Sequence, residues 1–194
     1  MEPFPEQDKR RADVRAAMTV MESPLGLGMT VDVEDQYLLS DAVRCYIAGA
    51  DAGTIFCVHA SCERDLAADL KHSPSVPAHS ERWGLGALVS HYSALGKMNS
   101  DLLDGLRILN EQRKTLYHYG HTESDTALRR RTSELIEELG ASRLHDDFKE
   151  QHGFEGDNKE VWGFAMDRVL RQNALAALTT GFMLRSWLAP PTRP

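Results

Sequence analysis

The chain has 194 residues, 42% of them hydrophobic and 26% charged, which suits one globular domain with a substantial buried core. The formal net charge of −7 argues against a protein that coats nucleic acid with its whole surface, but it leaves room for one local basic groove. The three cysteines (Cys45, Cys57 and Cys62) lack the spacing of a disulfide framework, which favours a reducing, cytoplasmic location. We expect no signal peptide, because the charged N-terminus has no apolar stretch behind it, and no membrane-spanning segment, because Arg185 interrupts the most apolar stretch.

The spacing of apolar residues predicts an all-α protein, a bundle of antiparallel helices. A first helix is expected around residues 8–21, followed by a breaker-rich connection at 23–29. Two further helices, at 33–48 and 51–70, are joined by a very short turn, which predicts an antiparallel hairpin. The expected inward residues are Leu39, Val43, Tyr46 and Ile47 in the first helix of this hairpin, and Ile55, Val58, Cys62 and Leu66 in the second.

A longer helix is predicted in the middle of the chain. A loop at 72–86 and a short helix at 87–95 lead to it, Asn99 or Ser100 caps it, and Gly120 ends it. Because apolar residues recur at helical spacing, one face of this helix should point into the core. The residues of that face are Leu102, Leu106, Leu109 and Leu116.

Two helices are predicted after it. Thr122 with Asp125 resembles a capping box for a helix that extends to Leu139. A polar stretch at 145–160 then precedes a long final helix. The residues at helical spacing in that final helix are Trp162, Met166, Val169, Asn173, Ala177, Thr180, Leu184 and Trp187.

These elements indicate a simple organisation without internal repeats. We expect an N-terminal arm with a short helix at 1–31 and one helical-bundle domain at 32–194. The last helix forms a C-terminal extension at 155–190. Three consecutive arginines at 129–131 are expected to form a solvated face.

The nine residues RKTLYHYGH, which end at His121, concentrate cationic and proton-handling side chains at the end of the central helix. Asn110, Arg113 and Tyr117 lie at i, i+3 and i+7 and therefore line one edge. Arg113 also continues the apolar face, and because burying an unpaired guanidinium is unfavourable it must be paired, reach a cavity or meet a partner surface. His118 lies about 140° around a straight helix from Arg113, so the two converge only if the helix unwinds or two chains face each other.

These residues resemble those of a HEPN domain, the family of small α-helical bundles found in many prokaryotic toxins and anti-phage nucleases. The likeness covers about residues 33–140. The hairpin DAVRCYIAGADAGTIFCVHASCERDL is similar to the family's first pair of helices, with Glu63 late in the second. LNEQRKTLYHYGH resembles the end of the family's active-site helix, with the pattern Arg-x4-His at Arg113 and His118.

The resemblance implies RNA cleavage by a homodimer, without a metal or another cofactor, in which the Arg/His pairs of two subunits face each other. RNA supplies its own nucleophile, the 2′-hydroxyl, so the protein has to provide proton transfer and charge stabilisation. By this likeness His118 is the general acid–base and Arg113 stabilises the phosphate. Such an endoribonuclease is expected to be a toxin or a defence effector that an antitoxin or another regulatory protein controls.

Two positions depart from the family pattern. Lys114 follows the arginine where the family usually has Asn or Asp, and this extra cation either helps to hold RNA or marks a motif that has drifted. Gly120 replaces the tyrosine of the Arg-x4-His-x-Tyr subgroup, so we infer no tyrosine modification. Besides Lys114, the accessory or RNA-binding candidates are Asn110, Tyr117, Tyr119, His121 and Glu63.

Other interpretations stay open. Histidine, tyrosine and lysine at a helix C-terminus are also explained by a structural role, since the helix dipole favours them there. The alternative function is a non-catalytic HEPN-like protein that binds and regulates a partner protein or nucleotide. Cys57, His59 and Cys62 lie close together, but they lack the four ligands in paired spacing that structural zinc needs, so no metal is expected. Gly84–Gly86 is expected to be a turn and not a phosphate loop.

Overall fold

The computed structural model describes residues 5–20, 33–74, 76–117 and 122–189. Within these ranges the chain forms eight α-helices and no β-strand, which confirms the all-α prediction. A 3₁₀ turn at Ser80–Arg82 lies in the connection between the third and fourth helices. The helices are α1 (Pro5–Met18), α2 (Val33–Ile47), α3 (Asp51–Lys71), α4 (Leu85–Leu95), α5 (Ser100–Tyr117), α6 (Thr122–Leu139), α7 (Ala141–His152) and α8 (Asn158–Leu188).

The chain divides into two compact units. Unit 1 consists of Met1–Arg113 and Ala174–Pro194, and unit 2 consists of Lys114–Asn173. The helix α1 belongs to unit 1.

In unit 1, α2 and α3 pack against each other as the predicted hairpin. Gly49 in the turn has a φ of +82°, a left-handed conformation that glycine adopts without strain. The predicted inward face of α3 is confirmed, because its four apolar residues are at most 1% exposed. In α2 the buried face is formed by Leu39, Ala42 and Tyr46, whereas Val43 and Ile47 are half-buried.

The helix α1 packs on α2 through buried polar groups as well as apolar ones. Arg10 is 8% exposed, and its Nη2 donates to the Asp51 carboxylate at 3.0 Å. Arg10 Nη1 also donates to the carbonyl oxygen of Tyr46 at 3.0 Å, and the Tyr46 hydroxyl donates to Asp13 at 3.0 Å. These contacts tie α1 to the hairpin at the turn between α2 and α3.

In unit 1, α5 and the last part of α8 approach each other closely. A Cβ atom added at Gly105 would lie 2.7 Å from Oγ1 of Thr180, so this crossing requires a glycine. At the start of α5, the side-chain oxygen of Asn99 accepts the backbone N–H of Leu102 at 2.8 Å, which identifies Asn99 as the cap. Three of the four predicted inward residues of α5 are at most 1% exposed, and Leu116 is half-buried.

Unit 2 has a core of its own, built from α6, α7 and the first part of α8. The sequence did not predict α7, which lies mostly in the polar stretch at 145–160. Its buried residues are Leu144 and Phe148, one helical turn apart. The core residues are Leu135, Leu144, Phe148, Val161, Ala165 and Val169, with Leu128, Ile136, Leu139 and Phe164 packed against them.

Two further sequence predictions concern this unit. In α8, Val161 and Ala165 are buried where Trp162 and Met166 were expected, and the latter two are half-buried. Of the arginines at 129–131, the first two are exposed and Arg131 forms ion pairs with acidic residues of α6. The side chains of the predicted capping box at Thr122 and Asp125 lie outside the described part of the chain. None of the helices in the described ranges has the length and apolarity needed to cross a membrane.

Candidate functional site

The residues predicted to act on RNA are only partly covered by the structure. His118, Tyr119 and His121 lie outside the described residues, and so does the side chain of Tyr117. The other candidates, Arg113, Asn110, Lys114 and Glu63, are described. Lys114 is exposed, whereas Arg113, Asn110 and Glu63 are half-buried. The geometry of the candidate site is therefore built from these last three residues and from what surrounds them.

Asn110 on α5 contacts α3 through His59. The Nε2 atom of His59 lies 3.4 Å from Oδ1 of Asn110. Because an amide oxygen only accepts hydrogen bonds, the imidazole N–H is the donor in this contact. Both side chains are half-buried, so the bond lies at the edge of the packed region between the two helices.

Glu63, one helical turn after His59 on α3, caps the following helix. Its Oε2 accepts the backbone N–H of Leu85 at 2.8 Å, at the first residue of α4. A carboxylate at a helix N-terminus is favoured both by this hydrogen bond and by the helix dipole. The prediction that Gly84–Gly86 is only a turn is wrong, since Gly84 is the N-cap and Leu85 begins the helix.

The side chain of Asn110 also contacts α4. A Cβ atom placed on Gly86 would lie 3.1 Å from Nδ2 of Asn110, tighter than ordinary van der Waals contact. Glycine at this position therefore lets the first turn of α4 approach α5 closely. As a result, the two ends of the Asn110 amide face different helices, with Oδ1 toward α3 and Nδ2 toward α4.

The electrostatics of His59 link this contact to Arg113. Burial lowers the pKa of the His59 imidazole below its ordinary value, and the nearby positive charge of Arg113 lowers it further. The hydrogen bond with Asn110 and the negative charge of Glu63 act in the opposite direction, but the net shift of the pKa is downward. The imidazole is therefore neutral at pH 7, and the permanent charge beside it is that of the guanidinium.

Three side chains thus make contacts where α3, α4 and α5 come together, and the positive charge of a fourth, Arg113, acts on His59; we refer to the four as the α3–α5 cluster. They are His59, Glu63, Asn110 and Arg113. The i, i+3 spacing correctly placed Asn110 and Arg113 on one edge of α5, but sequence reasoning considered His59 only as a zinc ligand. The available signal was the i, i+4 spacing of His59 and Glu63, which puts both on one face of α3.

The three residues considered for zinc lie on different sides of α3. The Cys57 thiol has its pKa raised by burial and by the neighbouring Cys45 of α2. Cys62 is 1% exposed in the core, and His59 faces α5. Among the described residues, no group of three or more His, Cys, Asp or Glu side chains is arranged to hold a metal ion.

A separate concavity lies near the C-terminal ends of α3 and α4. Its volume is about 210 Å³, and its lining includes Asp69, Tyr92 and Lys97. The hydroxyl of Tyr92 donates to the Asp69 carboxylate at 2.6 Å, which raises the pKa of Tyr92 together with burial, the larger cause. Of the candidates that the structure describes, Asn110, Arg113, Lys114 and Glu63, none lines this concavity.

Comparison with protein-family models, with curated proteins and with solved structures gave no match to this chain.

Proposed function

We propose that the chain is a metal-independent endoribonuclease of the HEPN type, a toxin or anti-phage defence effector that acts as a homodimer. Arg113 stabilises the scissile phosphate, and His118 transfers protons. The observation that supports this proposal best is the α3–α5 cluster, in which the positive charge of the half-buried Arg113 acts on a neutral imidazole that is hydrogen-bonded to an amide. A permanent cation among hydrogen-bond donors is the arrangement that binds a phosphodiester.

The chemistry follows from the substrate. The 2′-oxygen of RNA attacks the neighbouring phosphorus, the bond from phosphorus to the 5′-oxygen breaks, and a 2′,3′-cyclic phosphate and a 5′-hydroxyl result. The 2′-hydroxyl gives up one proton and the leaving oxygen takes up one, which His118 provides by acting first as a base and then as an acid. Negative charge grows on the phosphate oxygens between the attack and the departure of the leaving group, and the planar guanidinium of Arg113 stabilises this charge.

The charge distribution is compatible with a local site. The net charge of −7 disfavours extended contact with RNA, so recognition would depend on a few cations near the reacting phosphate. Glu63 would repel a phosphate if its charge were exposed, but one of its oxygens is occupied by the backbone N–H of Leu85. This contact holds the carboxylate at the N-terminus of α4, where the positive end of the helix dipole partly offsets its charge.

The test is RNA cleavage by the full chain in the presence of a chelator. We expect Arg113→Ala and His118→Ala each to reduce the cleavage rate by about 100-fold or more, and EDTA to leave the rate of the wild-type protein unchanged. Arg107→Ala is the matched control, because Arg107 is an exposed arginine of the same helix that pairs with Asp104 at 2.9 Å. Equal rates for the Arg113 and Arg107 variants would remove the proposed role of Arg113.

The wider proposal has two further consequences. Expression of the wild-type chain should arrest bacterial growth while Arg113→Ala does not, and sedimentation should show a dimer. A chain that cleaves no RNA but copurifies with a protein or a nucleotide would favour the alternative, a non-catalytic HEPN-like protein that regulates its partner.

A further inference from the structure

The two ends of the Asn110 amide lie against different helices. Its Oδ1 faces Nε2 of His59 on α3 at 3.4 Å, and its Nδ2 faces Gly86 on α4. Rotating the amide by half a turn would place the NH₂ group against the imidazole and the carbonyl oxygen against α4. The tautomer of the His59 ring, that is, whether Nε2 carries a proton, therefore decides which of the two orientations is stable.

The observed orientation requires a proton on Nε2 of His59, because Oδ1 of Asn110 only accepts. A neutral imidazole carries one proton, so the neutral ring is the Nε2–H tautomer and its Nδ1 is unprotonated. The charged groups that face this ring are Glu63 from α3 and Arg113 from α5. Since Nε2 keeps its proton in both charge states of the ring, the contact with Asn110 does not depend on titration.

We propose that His59 is a positioning residue for phosphodiester binding. In its Nε2–H tautomer it fixes the Asn110 amide with the NH₂ group turned away from α3, so that Asn110 and Arg113 present donors to one phosphodiester. The inference rests on the proposed function for the kind of ligand, and it adds to that function a residue outside the Arg-x4-His motif.

Donor chemistry identifies the ligand class. The NH₂ group of Asn110 and the guanidinium of Arg113 are donors only, and they lie three residues apart on α5. Two donor groups, one of them a permanent cation, suit the two non-bridging oxygens of a phosphodiester, which are acceptors only and share one negative charge. In this arrangement His59 itself does not contact the phosphate, and its effect passes through Asn110.

The first experiment observes the tautomer directly. In protein labelled with ¹⁵N in its histidine rings, we expect the neutral His59 ring to carry its proton on Nε2. Asn110→Ala should leave the fold intact and change the ring signals of His59 more than those of His72, an exposed histidine that follows α3. A His59 ring protonated on Nδ1 would overturn the inference, and this readout needs no variant of His59.

The second experiment measures binding of a single-stranded deoxyribo-oligonucleotide, which has phosphodiesters but lacks the 2′-hydroxyl that the proposed cleavage needs. We expect His59→Phe to weaken binding by about threefold to tenfold, the effect of losing one hydrogen bond that orients a donor. We expect His59→Gln to stay within about twofold of the wild type, since the glutamine amide also donates to Asn110. His72→Phe is the control.

The outcomes separate this inference from the proposed nuclease, with cleavage assayed on RNA of the same sequence. If His59→Phe binds more weakly than the wild type, His59→Gln binds about as well, and no variant cleaves RNA, the result would support His59 as a positioning residue and contradict the proposed nuclease activity. RNA cleavage with equal binding by wild type and His59→Phe would overturn the inference alone. The inference about His59 would also be overturned if the wild-type chain bound no oligonucleotide, or if His59→Gln bound as weakly as His59→Phe.

Discussion

The Nε atom of Arg185 on α8 lies 2.7 Å from Oδ2 of Asp65 on α3, and both side chains are almost completely buried, at 2% and 4% exposure. Arg185 Nη2 also donates to the hydroxyl of Ser61 at 3.2 Å. A buried charge is stable only when it is paired, so these groups fix the register of α8 against α3.

Removing either member of this pair should destabilise the chain strongly. We expect Arg185→Ala or Asp65→Ala to lower the free energy of unfolding by about 3–5 kcal/mol, because each leaves an uncompensated buried charge. The double variant Arg185→Met/Asp65→Leu removes both charges and should be more stable than either single variant. Urea denaturation measures all three. A double variant less stable than both single variants would contradict the account of the pair.

The crossing of α5 and α8 in unit 1 leads to a second prediction. In Gly105→Ala the new methyl group meets Oγ1 of Thr180, and we expect a loss of about 1–3 kcal/mol in the free energy of unfolding. Adding Thr180→Ala should recover part of that loss. Gly163→Ala in α8 is the control, because a Cβ there meets nothing within 4 Å. It should stabilise the chain by about 0.5–1 kcal/mol. Equal melting temperatures for Gly105→Ala and Gly163→Ala would show that the crossing is not tight.

The sequence predicted most of the helices because their apolar periodicity is strong. In α3 all four expected inward residues are buried, and Asn99 was one of the two caps expected for α5. The helix α7 was missed because it buries only Leu144 and Phe148 in a polar segment. Periodicity is a weak signal when only two positions carry it.

The candidate site was predicted only in part for a different reason. Helical spacing places Asn110 and Arg113 on one edge, since that relationship is local to α5. The contact of Asn110 with His59 joins helices that are far apart in sequence, so spacing along the chain does not reveal it. The partner of Arg185 could not be predicted for the same reason. In the sequence Arg185 is only a charge within an apolar stretch, and Asp65 comes close to it only in the folded chain.

The lowered pKa of His59 predicts a pH dependence of stability. Between the pKa of the folded state and the ordinary value of about 6.5, the unfolded chain binds more protons than the folded chain at this residue. Its contribution to stability is therefore complete above that range and decreases as the pH falls through it. The stability difference between wild type and His59→Gln, measured in urea at pH 7.5 and pH 5.5, should move in favour of His59→Gln at the lower pH. A shift in the opposite direction would mean that the folded state raises this pKa.

The position at which the sequence departs from the HEPN pattern it resembles, Lys114, is testable through salt dependence. If this exposed lysine contacts RNA, Lys114→Asn should reduce the slope of log K against log salt concentration by about 0.7, the release of one counterion from a single strand. The measurement uses the His118→Ala background so that RNA stays intact. Lys97→Asn, also an exposed position, is the control. Identical slopes for the two lysine variants would show that Lys114 does not contact RNA.

The chemical ends of the cleavage products test the proposed nuclease most directly. Mass spectrometry of RNA treated with the wild-type chain in EDTA should show 2′,3′-cyclic phosphate and 5′-hydroxyl ends. These products should disappear when the nucleotide 5′ to the cleaved bond carries a 2′-deoxy sugar, and when Arg113 is replaced by alanine, but not when Arg107 is. Products with 5′-phosphate ends, cleavage of the 2′-deoxy substrate, or undiminished cleavage by Arg113→Ala would contradict the proposal.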